Sequence, residues 1–592
     1  MNPLPRPEYP RPQSRREDWL NLNGEWHFAE DPERTGCEQD WPKGVGPGET
    51  ITVPFCRESA LSGIGREEPM PCVWYSRAFS IPSEWEGRRI LLHFGAADYA
   101  TRIWIDGEPV GTEHRGGHTS FSFDLSPFVE PGRSHTLTVR CEDDAALSKP
   151  HGKQRRHLPS SSVCYVQTTG IWQTVWLEPV PQAYLSRPRI TPSVDQGGFW
   201  LEQSVKHLVE PLTVACTVLA DGQEVGRAEQ TLRHDSQAAL FLPIPEEKIR
   251  LWDLADPFLY DLVIELRDPN GEKVDQIISY AGLRNVAIRG NRILLNGRSL
   301  FQRLVLDQGY YPDGLLTAPS DDSLVRDIEE AKAHGFNGAR FHQKVFEERA
   351  LYHADRLGYL VWGEMADWGP EFQRDEPKQI DARWIEEWLE ALERDYSHPC
   401  IIGWCPLNEQ EGQNPAHLSQ LEIVQRSLVL ATKLADRTRP VLDSSGWVHR
   451  CPESDIYDDH SYEQDPEKLA ARYEDLSNFS ETAKGTAFNS VSSQGRPFFI
   501  SEFGGMKWIP DESRAEDESW GYGRAPGSVD EFIDRFTRQC AVFLSHPECF
   551  GYCFTQLTDV FQECNGLLTF DRRRKFDPAP LRAAQTIPAA IE

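Results

Sequence analysis

The sequence predicts a multidomain chain: a β jelly-roll sandwich, an immunoglobulin-like β-sandwich and a C-terminal (β/α)8 TIM barrel. Three observations lead to this. The 592 residues exceed what one hydrophobic core organises. The first half alternates apolar and polar residues with period two between Gly, Pro and Asp turns, as half-buried strands do. After Val286 short apolar strands alternate instead with amphipathic helical stretches, the pattern of a parallel α/β domain.

The first unit, residues 1-182, contains runs such as RRILLHFGAADYATRIWIDGEPVG and HTLTVRCED and almost no helical stretch, which indicates a jelly roll. Pro179, Pro181 and Pro188 then punctuate the chain. In residues 183-285, LTVACTVLADGQEVGRAEQTL and DPFLYDLVIELRDPNGEKVDQ each read as strand, two-residue turn, strand, and fit an immunoglobulin-like sandwich. In residues 286-592 the strand candidates are SLFQRLVL, FNGARF, GYLVWGE, IIGWCPLN, RPVLDSS, DIYDDH, RPFFISEFG and FGYCFTQ. Helices between them include SDDSLVRDIEEAKAHG, which opens on a Ser/Asp cap and stops at Gly335. Eight strand-helix units match a barrel, and the polar, Ser-rich stretch Glu463 to Arg496 reads as an insertion.

Composition excludes several partner classes. With 62 Lys+Arg against 92 Asp+Glu the net charge is -30, which repels nucleic acid and anionic membrane. No apolar run reaches the roughly 20 residues of a membrane span. The opening MNPLPRPEYPRPQSRREDW lacks the apolar core of a secretory signal, so a cytoplasmic protein is expected. Thirteen single cysteines without CxxC read as reduced thiols rather than a disulfide frame or zinc site. Eighteen Trp are more than average usage supplies; they serve either large cores or platforms for flat ligand faces.

In a barrel the site lies at the C-terminal ends of the strands. The polar residues found there are Asp307, Arg340 and His342, Glu364, Asn408 and Glu409, Asp443, Asp458 and His460, Glu502, and Gln556 with Asp559. Carboxylates dominate. An Asn-Glu pair occurs about once by chance in a chain of this size, but Glu409 follows IIGWCPLN and Glu502 follows FFIS, each a buried strand ending in an acid. Two neighbouring buried carboxylates cost several kcal/mol, and their repulsion raises one pKa while the other group stays ionised. Glycoside hydrolysis needs this asymmetry: one acid protonates the departing oxygen and one carboxylate attacks the anomeric carbon. Arg340 would hold the nucleophile ionised, or form a structural ion pair. Neither HExxH nor a paired-His motif is present, so no metal or cofactor is expected; a metal-dependent hydrolase is the minor alternative.

Further motifs are Thr169-Gly170-Ile171-Trp172-Gln173, the strand from Gly297 to Asp307-Gln308-Gly309, and Gly335-Phe336-Asn337-Gly338-Ala339-Arg340 before His342. With Trp404 to Glu409 and Ser501-Glu502-Phe503-Gly504-Gly505, these resemble glycoside hydrolase family 2, the group of β-galactosidases, β-glucuronidases and β-mannosidases. The resemblance implies that Glu409 is the general acid/base and Glu502 the nucleophile, on the fourth and seventh strands. It implies that Asn408 bonds the sugar 2-hydroxyl and that Tyr462 contacts the nucleophile, although DDHSYEQ departs from the usual pattern. Trp404, Trp447 and Trp508 are candidate pocket walls. Asp307, Arg340, His342, Glu364, His460, Gln556 and Asp559 complete the expected substrate-binding set.

The glycone expectation rests on a departure. The family's β-glucuronidases carry Asn-x-Lys after the eighth strand to hold the sugar carboxylate, whereas this chain reads Phe561-Gln562-Glu563-Cys564-Asn565-Gly566-Leu567. Glu563 and Asp559 would repel a uronate, so a neutral glycone, first a β-galactoside, is expected from a retaining exo-β-glycosidase. Were a uronate taken, Lys507 or Arg524 would have to supply the charge. A uronidase or furanosidase of the same family and a non-catalytic carbohydrate-binding protein are the alternatives. The segment Lys149 to Thr169 of the first unit is expected to help close the pocket. The expected partner is an oligosaccharide or glycoside, with homo-oligomer formation left open.

Overall fold

The computed structural model describes residues 3–46, 48–144, 149–155, 162–368, 382–410, 415–476, 491–493, 495–510 and 519–592. The alternating first part forms two antiparallel sheets. One orders Glu49–Val53, Gly24–Glu30, Cys72–Ser80, Ser134–Glu142, Ala100–Ile105 and Glu108–Arg115; the other orders Leu20–Asn21, Val175–Val180, Arg89–Phe94 and Phe121–Asp124. Period-two alternation gives each strand one apolar face, and the two faces meet over Trp26, Phe28, Tyr75, Leu92, Phe94 and Val139.

The second sandwich packs Gln223–Leu232, Leu212–Ala220, Tyr260–Arg267 and Lys273–Ala281 against a sheet centred on Gly198–Lys206. Its first hairpin turns at Asp221-Gly222, both with positive φ (49° and 76°), the geometry of a two-residue turn that follows strand twist. The second hairpin differs from the expected two-residue turn: residues 268–272 form a longer loop. Asp268 Oδ1 accepts N–H groups from Asn270 (2.9 Å) and Glu272 (2.8 Å), while Pro269 has no N–H to pair, so the side chain of Asp268 organises the loop.

The last part is a curled parallel sheet in the order Ile401–Cys405, Leu360–Glu364, Gly338–Phe341, Gln302–Asp307, Cys549–Thr555, Phe498–Gly504, Tyr457–Ser461. These are seven of the eight expected strands. The fifth, RPVLDSS, is reduced to isolated parallel bridges with the fourth strand at Trp404–Val441 and Asn408–Ser445, with no ladder to the sixth among the described residues. Amides here and just after it turn to side chains instead: Val441 N donates to Asp455 Oδ2 and Gly446 N to Asp458 Oδ2, both at 3.0 Å. The helix read from SDDSLVRDIEEAKAHG spans Asp321–Ala333 with Ser320 at its N-cap, but the Ser320 hydroxyl pairs with Ser323 Oγ (3.0 Å) rather than with the helix backbone. The expected insertion contains a short helix, Pro466–Arg472; residues 477–490 and 494 lie outside the described residues. Among the described residues no helix is long and apolar enough to cross a membrane.

The jelly roll is seated on the barrel by main-chain N–H donors. His151 N donates to Trp368 O and Gly152 N to Ala366 O (both 3.0 Å), and Gly117 N donates to Glu387 Oε1 (2.8 Å). These contacts bring the first part of the chain to the open end of the barrel.

Candidate active site

A cavity of about 410 Å³ opens at the C-terminal ends of the barrel strands, within the ~300–1,000 Å³ usual for small-molecule sites. Glu409 and Glu502 both line it. A carboxylate oxygen of each, with a ring nitrogen of His460, lies within 4.8 Å of the others. Glu409 adopts φ +51°, an uncommon conformation for a side-chain-bearing residue, and its N–H is held by Ser445 O at 2.7 Å. The bend turns the side chain off the end of the fourth strand into the cavity. After Glu502, Gly504 and Gly505 are required by contact: a Cβ at either would lie 2.4 Å from the ring of Phe554 or Tyr522.

Glu502 is buried and surrounded by donors. Arg340 donates to its Oε1 at 3.2 Å and also to Ser501 O at 2.6 Å, Tyr462 donates its hydroxyl to Oε2, and His460 Nε2 lies 3.6 Å away. Burial alone would raise its pKa, but the charges of His460, His342 and Arg340 outweigh that and hold it down at about 2. Arg340 is itself fixed by Glu364, whose other oxygen lies 2.9 Å from His342 Nδ1. Glu409 is more accessible, its side chain 19% exposed against 7% for Glu502, and its partner is His460, whose Nδ1 lies 2.7 Å from Oε1. Burial would lower the pKa of His460, yet the charge of Glu502 and the hydrogen bond to Glu409 raise it above the ordinary histidine value. Glu409, His460 and Glu502 are also spaced as metal ligands could be. Both nitrogens of His460, however, face protein partners, Glu409 Oε1 at 2.7 Å and Ser445 Oγ at 2.9 Å.

Of the other expected residues, His342, Trp447, His460 and Tyr462 line the cavity. Arg340 and Glu364 lie just beneath. Asn408, next to Glu409 in the chain but not itself lining the cavity, accepts from Arg340 at 3.2 Å through Oδ1, while its buried Nδ2 has no hydrogen-bond partner among the described residues. Trp404 is a correction: strand residues alternate between the two faces, and it points outward, its indole N–H on Asp436 Oδ2 (2.8 Å) and its ring against Trp388. Trp508 likewise packs on Phe576, 6.1 Å between centroids, and not on the cavity. Asp307 turns back to accept the Gly309 N–H (2.9 Å), and burial raises its pKa to about 6. Gln556 is spent on Gln308 and Asn565 (2.7 and 2.8 Å), and Asp559 on Lys575 (2.6 Å). The cations suggested for a uronate are engaged elsewhere: Lys507 donates to Ser519 O at 2.6 Å and Arg524 pairs with Glu531.

Sequence reading missed Trp368, Tyr522 and Lys153 as lining residues. Trp368 follows the third strand four residues after Glu364, so a wider window at the strand ends would have found it. Tyr522 stacks on Tyr462 with centroids 3.4 Å apart, a contact with no local sequence signal. Lys153 belongs to the segment Lys149 to Thr169 of the jelly roll, which also contributes Val163; residues 156–161 of that segment lie outside the described residues.

The model "Glycosyl hydrolases family 2, sugar binding domain" matches residues 20–147, and "Glycosyl hydrolases family 2" matches residues 183–284. The β-glucuronidase of Paenibacillus borealis is 25% identical over 413 residues, 66% of this chain and 67% of that protein. The β-galactosidase of Thermoanaerobacter pseudethanolicus is 24% identical over 439 residues, 72% of this chain and 55% of that protein. In fold, the chain resembles the solved β-glucuronidase of Ruminococcus gnavus in complex with D-glucuronic acid, with a TM-score of 0.77 at 20% identity over 98% of this chain and all (100%) of that one. Two sandwiches matched in order by that family's models, ahead of a barrel-like sheet ending in two facing glutamates, make this chain a member of glycoside hydrolase family 2.

Proposed function

We propose that the chain is a retaining exo-β-glycosidase in which Glu502 attacks the anomeric carbon and Glu409 first protonates the departing oxygen, then deprotonates the water that releases the sugar. The observation that carries this is the approach of the two carboxylates within 4.8 Å. Retention uses carboxyl groups ~5–5.5 Å apart, whereas inversion needs ~6.5–9.5 Å to admit a water. The unpartnered Asn408 amide beside Glu409 suits a sugar hydroxyl whose hydrogen bond strengthens as positive charge builds on the ring. Glu502→Ala should lower turnover of a nitrophenyl glycoside roughly ten-thousand-fold or more. Azide should restore part of it and yield a glycosyl azide of inverted configuration. A first product of the parent with inverted configuration, seen by NMR, would defeat the assignment.

For the glycone, the relatives favour a β-glucuronide over the neutral sugar expected from the sequence. The expectation of a neutral sugar relied on two acids. Asp559 is paired with Lys575, and Glu563 receives the Tyr165 hydroxyl and the Asn565 amide (3.0 Å). A neutral β-galactoside is the second reading, supported by the missing Asn-x-Lys, by Glu563 on the cavity wall and by the β-galactosidases among the relatives.

A further inference from the structure

Two side chains that line the cavity are cations outside the groups assigned to catalysis: Arg472, paired with Asp459, and Lys153, whose charge also acts on Glu502. Lys153 is 6% exposed, lines the cavity and, among the described residues, makes no ion pair and no side-chain hydrogen bond; its ammonium lies 5.3 Å from the centroid of the Trp368 ring. A cation–π contact offsets only part of the cost of burying an ammonium. The other nearby cations are matched: Arg340 by Glu364 and Glu502, Arg472 by Asp459, Lys575 by Asp559, and Lys507 by Ser519 O.

The backbone that delivers Lys153 is built tightly. A Cβ at Gly152 (φ +60°) would lie 2.1 Å from Gln343 O, so only glycine lets this turn approach the end of the second barrel strand. On the other side Lys153 O accepts the Tyr165 N–H at 2.7 Å. Gln154 joins Asp98 Oδ2 (2.9 Å) to the Thr168 N–H (2.7 Å), fixing the turn within the jelly roll. An unpaired charge on so constrained a turn is a preorganised anion receptor.

We propose that Lys153, carried by the jelly roll, is the specificity-determining residue that binds the carboxylate of a uronate glycone, in the role the barrel lysine of Asn-x-Lys would otherwise fill. This rests on the glycosidase reading above and adds to it the part of the chain that reads the sugar's charge. A neutral hexose would leave the ammonium buried without a counter-ion; a uronate supplies one.

The test compares matched nitrophenyl glycosides, β-glucuronide with β-glucoside and β-galacturonide with β-galactoside, in the parent, Lys153→Met and Lys153→Arg. In the parent, kcat/KM should favour the uronide of at least one pair. In Lys153→Met the ratio of uronide to hexoside should fall about 100-fold, the effect of one lost charge-assisted contact, with partial recovery in Lys153→Arg. A ratio unchanged in Lys153→Met, with both substrates slowed alike, would show that Lys153 acts only through the field at Glu502 and would overturn the assignment. A parent active on hexosides and inert on uronides would overturn the uronate reading itself, and a parent inert on all four would overturn the glycosidase reading. Should the variants misfold, acylation of Lys153 in the parent by an N-hydroxysuccinimide ester decides. Protection by D-glucuronate but not by D-glucose supports the proposal, and equal labelling in both defeats it.

Discussion

The two glutamates of the cavity, within 4.8 Å of each other, are surrounded in opposite ways. Glu502 has Arg340, Tyr462 and His460 about it, and its pKa is held at about 2. Glu409 stands on a bent backbone at the edge of the cavity with His460 as its hydrogen-bond partner. The lesson is that identical side chains are set apart by the donors placed around them: charge-assisted bonds hold Glu502 ionised, whereas Glu409, more exposed, has fewer of them about it. His460 touches both sides and couples them.

The largest effect that would sharpen the contrast is expected from Glu409→Gln. Loss of the acid should slow glycosides of poor leaving groups by roughly 10³–10⁴, but dinitrophenyl glycosides far less, because a weakly basic leaving group departs without a proton. Equal loss on both would break the assignment of the acid. Next, Arg340→Met removes a buried charge from Glu502 and should cost about 10²–10³ in kcat/KM. With its cation gone, the Glu502 pKa should rise from about 2, so the acid limb of the pH–rate profile moves to higher pH. A limb that stays in place would reduce Arg340 to a structural ion pair.

The smallest effect falls on stability rather than on turnover. Beneath the Glu409 side, His449 is held by Asp443 (2.8 Å) and by the Asp458 carbonyl (3.0 Å). Burial would lower its pKa, but Asp443 and then Asp458 raise it from 6.5 to about 9. A pKa raised on folding stabilises fully below the unfolded value and is lost as pH climbs through the folded one. The parent should therefore lose on the order of 3 kcal/mol between pH 6.5 and 9 from this group. His449→Gln should flatten that part of the curve of thermal unfolding midpoint against pH; an unchanged slope would show that other groups carry it.

Much of the site is legible in the sequence. Glu409 and Glu502 stand out because each interrupts an apolar strand, and a barrel puts strand ends at its mouth. The misplaced residues share a cause. Trp404 and Trp508 are large aromatic residues close in sequence to the acids, yet nearness in sequence does not say which face a side chain takes, and both pack into cores. Asp307, Gln556 and Asp559 end strands as expected but are consumed by Gly309, Asn565 and Lys575, partners set by loop geometry. The reduced fifth strand is likewise invisible in sequence, because RPVLDSS has the apolar content of a strand whether or not its neighbour comes close enough to pair.

By itself the sequence determined the order of sandwiches and barrel and the placing of two glutamates at strand ends, since periodicity and strand ends are local properties encoded within a few residues. Only the tertiary structure decided the rest. It brought Arg340, His460 and Tyr462 around one acid and not the other, and it seated the jelly roll so that Lys153 enters a cavity made by the barrel. The physical reason is that a charge's effect depends on distance and burial, and both are fixed by packing between segments far apart in the chain.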